Sequence, residues 1–333
     1  MAKPITATDG NTYVPYERRG GNESIVYFTR DLSPEGLKRA YEQVNAHISG
    51  KVGVKLHTGE PHGPNIIPAE WVREFLAGEP GLDDAAIVET NTYYEGDWYT
   101  TEQHRETLKV NGWTFRTVDI MDDEGTVELP VEGGKWQETM SVGSHLLDYD
   151  SLVVLTHFKG HPQGGFGGSN KNIGIGCADG RVGKKRIHTT EGSSDMWSIA
   201  EEELMERISE STKATLGHFG ENICYVNVMR NMSVDCDCMG VAAAPVVTPN
   251  VGIFASTDIL AADQACVDAL YAMPEEHKHE LVERIESRHG LRQLSYMKEL
   301  GMGNDRYVLI DLDRGGVRIS PADAVAEVVP FEG

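Results

Sequence analysis

The run Ser151-Leu152-Val153-Val154-Leu155-Thr156 constrains the fold more than any other feature. An amphipathic strand keeps one face wet, whereas a continuous apolar run buries both. That is the pattern of a central strand in a parallel sheet covered by helices. The remaining chain supplies matching elements. Strands are expected at 24–29, 51–57, 85–89, 114–120, 223–229, 251–256 and 306–311. Helices are expected at 34–48, 69–76, 101–111, 195–216, 260–271, 275–288 and 293–300, the first opened by Ser33 as N-cap and Pro34 behind it. Strands alternating with helices predict an α/β fold, a mostly parallel sheet flanked by helices, arranged as two lobes around a cleft. The expected organisation is an N-terminal arm over 1–22, an α/β domain over 23–312 with a lobe boundary near 190–220, and a C-terminal tail over 313–333.

Composition narrows the function. Apolar residues make up 40% and charged residues 25% of 333, which is ordinary for a folded protein. The formal charge of −22 argues against a nucleic-acid partner, since phosphate backbones need a basic face. No apolar stretch reaches the roughly 18 residues of a membrane span, and Met1 to Ile5 lack the apolar core of an export signal. Five cysteines, an odd number in a long chain, do not read as a disulfide framework. A cytoplasmic protein without membrane contact is the expectation.

Directly after the apolar run comes the densest chemical signal. His157, Lys159 and His161 alternate, so an extended chain would turn all three into one crevice. Seven glycines between 160 and 176 would let backbone amides cradle an anion, with Gly167 and Gly168 closest to Lys171 and Asn172. Between Lys159 and His188 stand six Lys or Arg and one acid, Asp179, against the sign of the whole chain. Lys184 and His188 close this segment. A small anionic partner is therefore expected at the carboxyl end of the buried strand, where ligands of open α/β sheets bind. Neither a phosphate-loop Gly-Lys-Ser/Thr nor a dinucleotide fingerprint is present. Lys55 and His57 share a strand face, and Asn91 follows another strand. Cys236-Asp237-Cys238 offers soft ligands for a divalent transition metal such as Zn, Fe or Ni, to be completed in space by Cys177 or a histidine. The acids Asp119, Asp122, Asp123 and Glu124 read as a hard-cation site or a solvated turn.

Taken together, several motifs resemble the DUF362 family over roughly residues 25–312. They are Val54-Lys55-Leu56-His57-Thr58-Gly59-Glu60, Thr90-Asn91-Thr92-Tyr93-Tyr94, His157-Phe158-Lys159-Gly160-His161, Gly165-Phe166-Gly167-Gly168, Lys171-Asn172-Ile173-Gly174, Cys236-Asp237-Cys238 and Ala255-Ser256-Thr257-Asp258. Many members of that family carry an inserted ferredoxin-like module, which would fall after His188. Here Thr189 to Gly220 contains no cysteine, so ferredoxin-type 4Fe-4S clusters are not expected. The chain is more distantly similar to the lactate racemase (LarA-like) N-terminal domain, a likeness resting on His161, Lys171 and His188. The resemblance implies a shared fold and ligand location.

The resulting expectation is an enzyme of racemase/isomerase-like or redox-associated kind. It would bind a small anionic or phosphate-bearing molecule, with His57, His157, His161 and Lys171 as catalytic candidates. Lys55, Asn91, Lys159, Gly167, Gly168, Asn172, Lys184 and His188 would bind ligand, and Cys236, Asp237 and Cys238 would hold metal. The alternative is a non-catalytic carrier of a metal or iron–sulfur cofactor. A redox-protein partner and a homodimer are the macromolecular partners considered.

Overall fold

The computed structural model describes residues 10–331, so the first nine residues of the expected arm and the last two of the expected tail lie outside the described residues. The first half runs β1 (Ser24–Thr29), α1 (Pro34–Tyr41), β2 (Val52–Lys55), α2 (Ala69–Gly78), β3 (Ala86–Glu89), α3 (Thr101–Val110) and β4 (Val118–Ile120). There follow β5 (Thr126–Pro130), β6 (Thr139–Gly143), β7 (Ser151–His157), β8 (Lys159–His161), β9 (Gly165–Gly167), α4 (Ser169–Gly176) and α5 (Gly183–His188). The chain continues with α6 (Glu201–Phe219), β10 (Ile223–Met229), β11 (Gly252–Ser256), α7 (Ile259–Ala272), α8 (Glu275–Ser287) and α9 (Arg292–Glu299). It closes with β12 (Tyr307–Asp311), β13 (Val317–Ile319) and α10 (Pro321–Val325).

Nine strands form one sheet in the order β13-β12-β1-β11-β10-β7-β2-β3-β4. The stretch β10-β7-β2-β3-β4 is parallel throughout, as is the β1–β12 pair, while β11 runs antiparallel to both its neighbours. The expected mostly parallel sheet is therefore present, and β7 lies inside it between β10 and β2. Every residue of β7 is buried. Leu152 and Val154 enter the core on one face, Val153 and Leu155 the core on the other. Helices α1 and α2 cover the second of these faces, α4, α6 and α7 the first.

Several segments differ from the sequence expectation. The stretch 169–176, expected as a loop because glycine and asparagine disfavour helix, is α4. Tertiary contacts supply what propensity does not. From α7, Asp263 accepts the backbone N–H of Ser169 at 2.7 Å and of Asn170 at 2.9 Å. Thr212 Oγ1 on α6 donates to the Asn170 carbonyl at 2.7 Å. Residues 159–167 fold back as the β8–β9 hairpin rather than running on extended. Within the segment expected as a tail, β13 pairs with β12 and α10 carries a Ser320/Asp323 capping box. From the segment expected as an arm, Arg19 makes a buried ion pair with Asp268 on α7 at 2.5 Å. Among the described residues no helix is long and apolar enough to cross a membrane.

Candidate functional site

Because β2, β3, β7 and β10 are parallel, their carboxyl ends meet at one edge of the sheet, and a cavity of about 450 Å³ opens there. Lys55 and His57 enter it from the end of β2, Glu89 and Thr90 from β3, Lys159 and His161 from β8, and Lys171 from α4. Cys236 and Cys238 arrive on the segment after β10.

Two of the four lysines that line the cavity are already paired with carboxylates. The Lys55 ammonium lies 2.8 Å from Glu89, both side chains almost wholly buried. Burial disfavours the Glu89 carboxylate, but Lys55 and His57 outweigh it and hold its pKa well below the usual range. Lys159 pairs with Asp237 at 2.9 Å. Lys184 donates to Thr90 Oγ1 at 2.9 Å and to the Asn91 carbonyl, and burial brings its pKa down to about 8. Lys171 is the pocket lysine with no hydrogen-bond or ion-pair partner among the described residues. Lys55 and Lys159 are neutralised by carboxylates, whereas Lys171 and Lys184 have no carboxylate partner among the described residues.

The thiols sit beside this charge. Cys236, Cys238 and His161 bring one ligand atom each within 4.8 Å of one another. Burial would raise the Cys236 pKa. A hydrogen bond from Cys238, the charge of Lys171 and a hydrogen bond with His57 together push it well below the ordinary thiol value, while the Cys238 pKa rises. Burial alone would lower His57; its hydrogen bonds with Cys236 and Glu89 lift it to about 9. Glu89 Oε1 is 3.7 Å from His57 Nδ1. On His161, Nδ1 accepts the Gly164 amide at 2.8 Å and the Gln163 amide at 3.2 Å. Nε2 therefore carries the proton of the neutral ring, and a metal ion at Nε2 would take that proton's place.

The structure corrects several sequence assignments. His157 does not line the cavity. Its Nδ1 contacts both Asp237 oxygens, at 2.9 and 3.0 Å, and its Nε2 donates to the Arg230 carbonyl at 2.6 Å. His157 closes β7 and Lys159 opens β8, so the chain does not run on as one extended strand and the expected alternation is broken between them. Asp237 is no metal ligand, because its carboxylate is consumed by His157 and Lys159. Nor does Cys177 complete the thiol pair; His161 does. The glycine stretch is not an open amide nest, since the α4 N–H groups of Ser169 and Asn170 are taken by Asp263. A Cβ on Gly168 would stand 2.5 Å from Asp263 Oδ1, and one on Gly160 2.1 Å from the Val234 carbonyl oxygen. These glycines serve close packing.

Asn91 acts one layer out, while Asn172 lines the cavity. Asn91 offers its carbonyl to Lys184, and Asn172 Nδ2 donates to Thr156 Oγ1 at 2.9 Å, tying α4 to β7. His188 lines the wall and contacts the Lys184 carbonyl through Nδ1 at 2.8 Å. In the acid cluster, Asp119 binds His145 and Tyr149, Asp122 accepts the amides of Asn91 and Gly180, and Asp123 pairs with Arg105. The solvated-turn alternative gives way to a hydrogen-bonded corner. Sequence reasoning missed Glu89, Trp98, Met196, Trp197 and Met239, all of which line the cavity. Glu89 had a signal, an acid closing an apolar strand. The apolar residues had none, being scattered over three loops.

A family model described as "Domain of unknown function (DUF362)" matches residues 52–268. No curated protein matches the chain. Among solved structures, the lactate racemase apoprotein from Thermoanaerobacterium thermosaccharolyticum is similar at 14% identity and TM-score 0.39, over 90% of this chain and 85% of that one. A structural-genomics protein from Thermotoga maritima is similar at 13% identity and TM-score 0.38, over 78% of this chain and 57% of that one.

Proposed function

Since the chain belongs to the DUF362 family, whose domain carries no assigned reaction, we propose a function from the pocket itself. It is an enzyme that binds a small anionic organic molecule beside a soft metal ion, with His57 as proton donor and acceptor. One observation carries the reading: two thiols, an imidazole triad member, an unpaired ammonium and a second imidazole converge in a single cavity. His161, Cys236 and Cys238 would hold the metal, and three protein ligands leave an open position, as catalytic sites do. Two thiolates and a nitrogen suit Zn, Fe or Ni over Mg or Ca. When bound, the metal supplies Lewis-acid polarisation of a substrate oxygen.

Other roles belong to the chain. Lys171, with no hydrogen-bond or ion-pair partner among the described residues, would bind the anion, and Lys184 adds positive charge from the wall. His57 lies between Glu89 and Cys236 and lines the cavity, so its imidazole would exchange a proton with bound substrate. Asp237 acts as a positioning residue, fixing the Cys-Asp-Cys segment against β7 and β8 through His157 and Lys159.

The test is metal analysis of freshly purified protein, paired with calorimetric titration of phosphate. The proposal expects close to one metal per chain, lost in Cys236→Ser/Cys238→Ser, and phosphate binding lost in Lys171→Met. Metal without anion binding would favour the carrier reading. Protein that neither retains nor takes up Zn, Fe or Ni would overturn the metal assignment.

A further inference from the structure

Beside its cations and thiols, the cavity is lined by large apolar and aromatic side chains. Trp197, on the connection between α5 and α6, is 64% exposed yet lines the cavity, as does Met239, 40% exposed. Tyr94 lines the same cavity, its hydroxyl anchored on Glu60 at 2.8 Å. An exposed indole that lines a cavity offers a ligand a large flat apolar face.

Trp197 is also held in place. Its backbone N–H donates to Asp195 Oδ1 at 2.9 Å, and Ser198 Oγ donates to the Asp195 carbonyl at 2.7 Å. Gln163 Nε2 donates to the Met196 carbonyl at 2.7 Å, fastening the connection to the loop that carries His161. A tethered, exposed indole and a half-buried ammonium lining one cavity suit a ligand that carries a flat ring and an anionic group. We propose that the substrate is a planar aromatic anion, its carboxylate or phosphate on Lys171 and its ring stacked at Trp197. This rests on the anion-binding pocket proposed above and names the substrate class for it. A flat ring offers its face to the indole, and thioether sulfur of Met239 packs well against aromatic edges. A cavity of about 450 Å³ accommodates one such molecule.

Matched anions test this by calorimetry on the full chain: phenyl phosphate against inorganic phosphate, and benzoate against acetate. Each aryl anion should bind about 5- to 150-fold more tightly than its compact partner, the range one aromatic stack contributes. Comparing the two pairs separates a phosphate head from a carboxylate head. Trp197→Ala should erase most of the aryl advantage and leave the compact anion's affinity unchanged, while Trp197→Phe keeps part of it. Equal binding of aryl and compact anions to the unaltered protein, or an aryl advantage that survives Trp197→Ala, overturns the aromatic assignment and leaves the anion pocket standing. Binding of neither anion overturns both.

Discussion

Asp263 holds together the loop that the sequence marks as functional. Its carboxylate takes the Ser169 and Asn170 amides and the Asn227 side-chain N–H at 2.9 Å. Replacing it with Ala strands those buried donors, at a cost of about 2–4 kcal/mol in urea unfolding. Burial pushes its pKa up to about 6 in spite of those three donors. The native chain thus binds this proton more tightly than the unfolded chain does. The associated stability is present below about pH 4 and is lost as pH rises to about 6, roughly 3 kcal/mol at about 1.4 kcal/mol per pH unit. Asp263→Asn, which cannot ionise, should therefore close its stability gap to the unaltered protein between pH 4.5 and 7. The Lys55–Glu89 pair behaves differently. Glu89→Ala leaves a buried ammonium alone and should cost about 3–5 kcal/mol, and Lys55→Met/Glu89→Leu should recover most of it. Residue identity disclosed Lys171, His57 and the two cysteines as chemical groups. It did not disclose that Lys55 and Lys159 are neutralised, because Glu89 and Asp237 reach them only through the parallel pairing of strands distant in sequence.

At the scale of elements, glycine governs how closely the site's supports approach. A Cβ on Gly160 of β8 meets the Val234 carbonyl, two residues before Cys236, at 2.1 Å. Gly160→Ala should shift that segment, costing about 1–3 kcal/mol in stability and weakening metal binding at least tenfold. By contrast a Cβ on Gly167 meets only Lys159 Cε and Lys171 Cδ, each at 3.6 Å. Gly167→Ala should change stability by less than about 0.5 kcal/mol, which makes it the control. The long periodic elements were legible: β7, β10, α7 and α8 lie within a residue or two of their expected bounds. The hairpin β5–β6, helix α5 and above all α4 were not. Ser-Asn-Lys-Asn-Ile-Gly-Ile-Gly is a poor helix by propensity, and it forms one because α6 and α7 supply the packing and the cap.

Seen whole, the molecule places two positive side chains inside a chain of net charge −22. An incoming anion is repelled at long range and attracted only near Lys171. Raising ionic strength from about 10 to about 150 mM shortens the Debye length from about 30 to about 8 Å. Screening then weakens the outer repulsion more than the attraction inside the cavity. Stopped-flow association of phenyl phosphate should accelerate with salt, opposite to the behaviour of a cationic surface site. The central claim is that thiol metal and anion share one cavity, and cobalt(II) reports both at once. The account predicts that the metal-free chain takes up one cobalt, gives a thiolate-to-cobalt absorption band that Cys236→Ser/Cys238→Ser abolishes, and changes that band when phenyl phosphate is added, but not in Lys171→Met. A cobalt complex without a thiolate band, or a band indifferent to the anion in the unaltered protein, would contradict it.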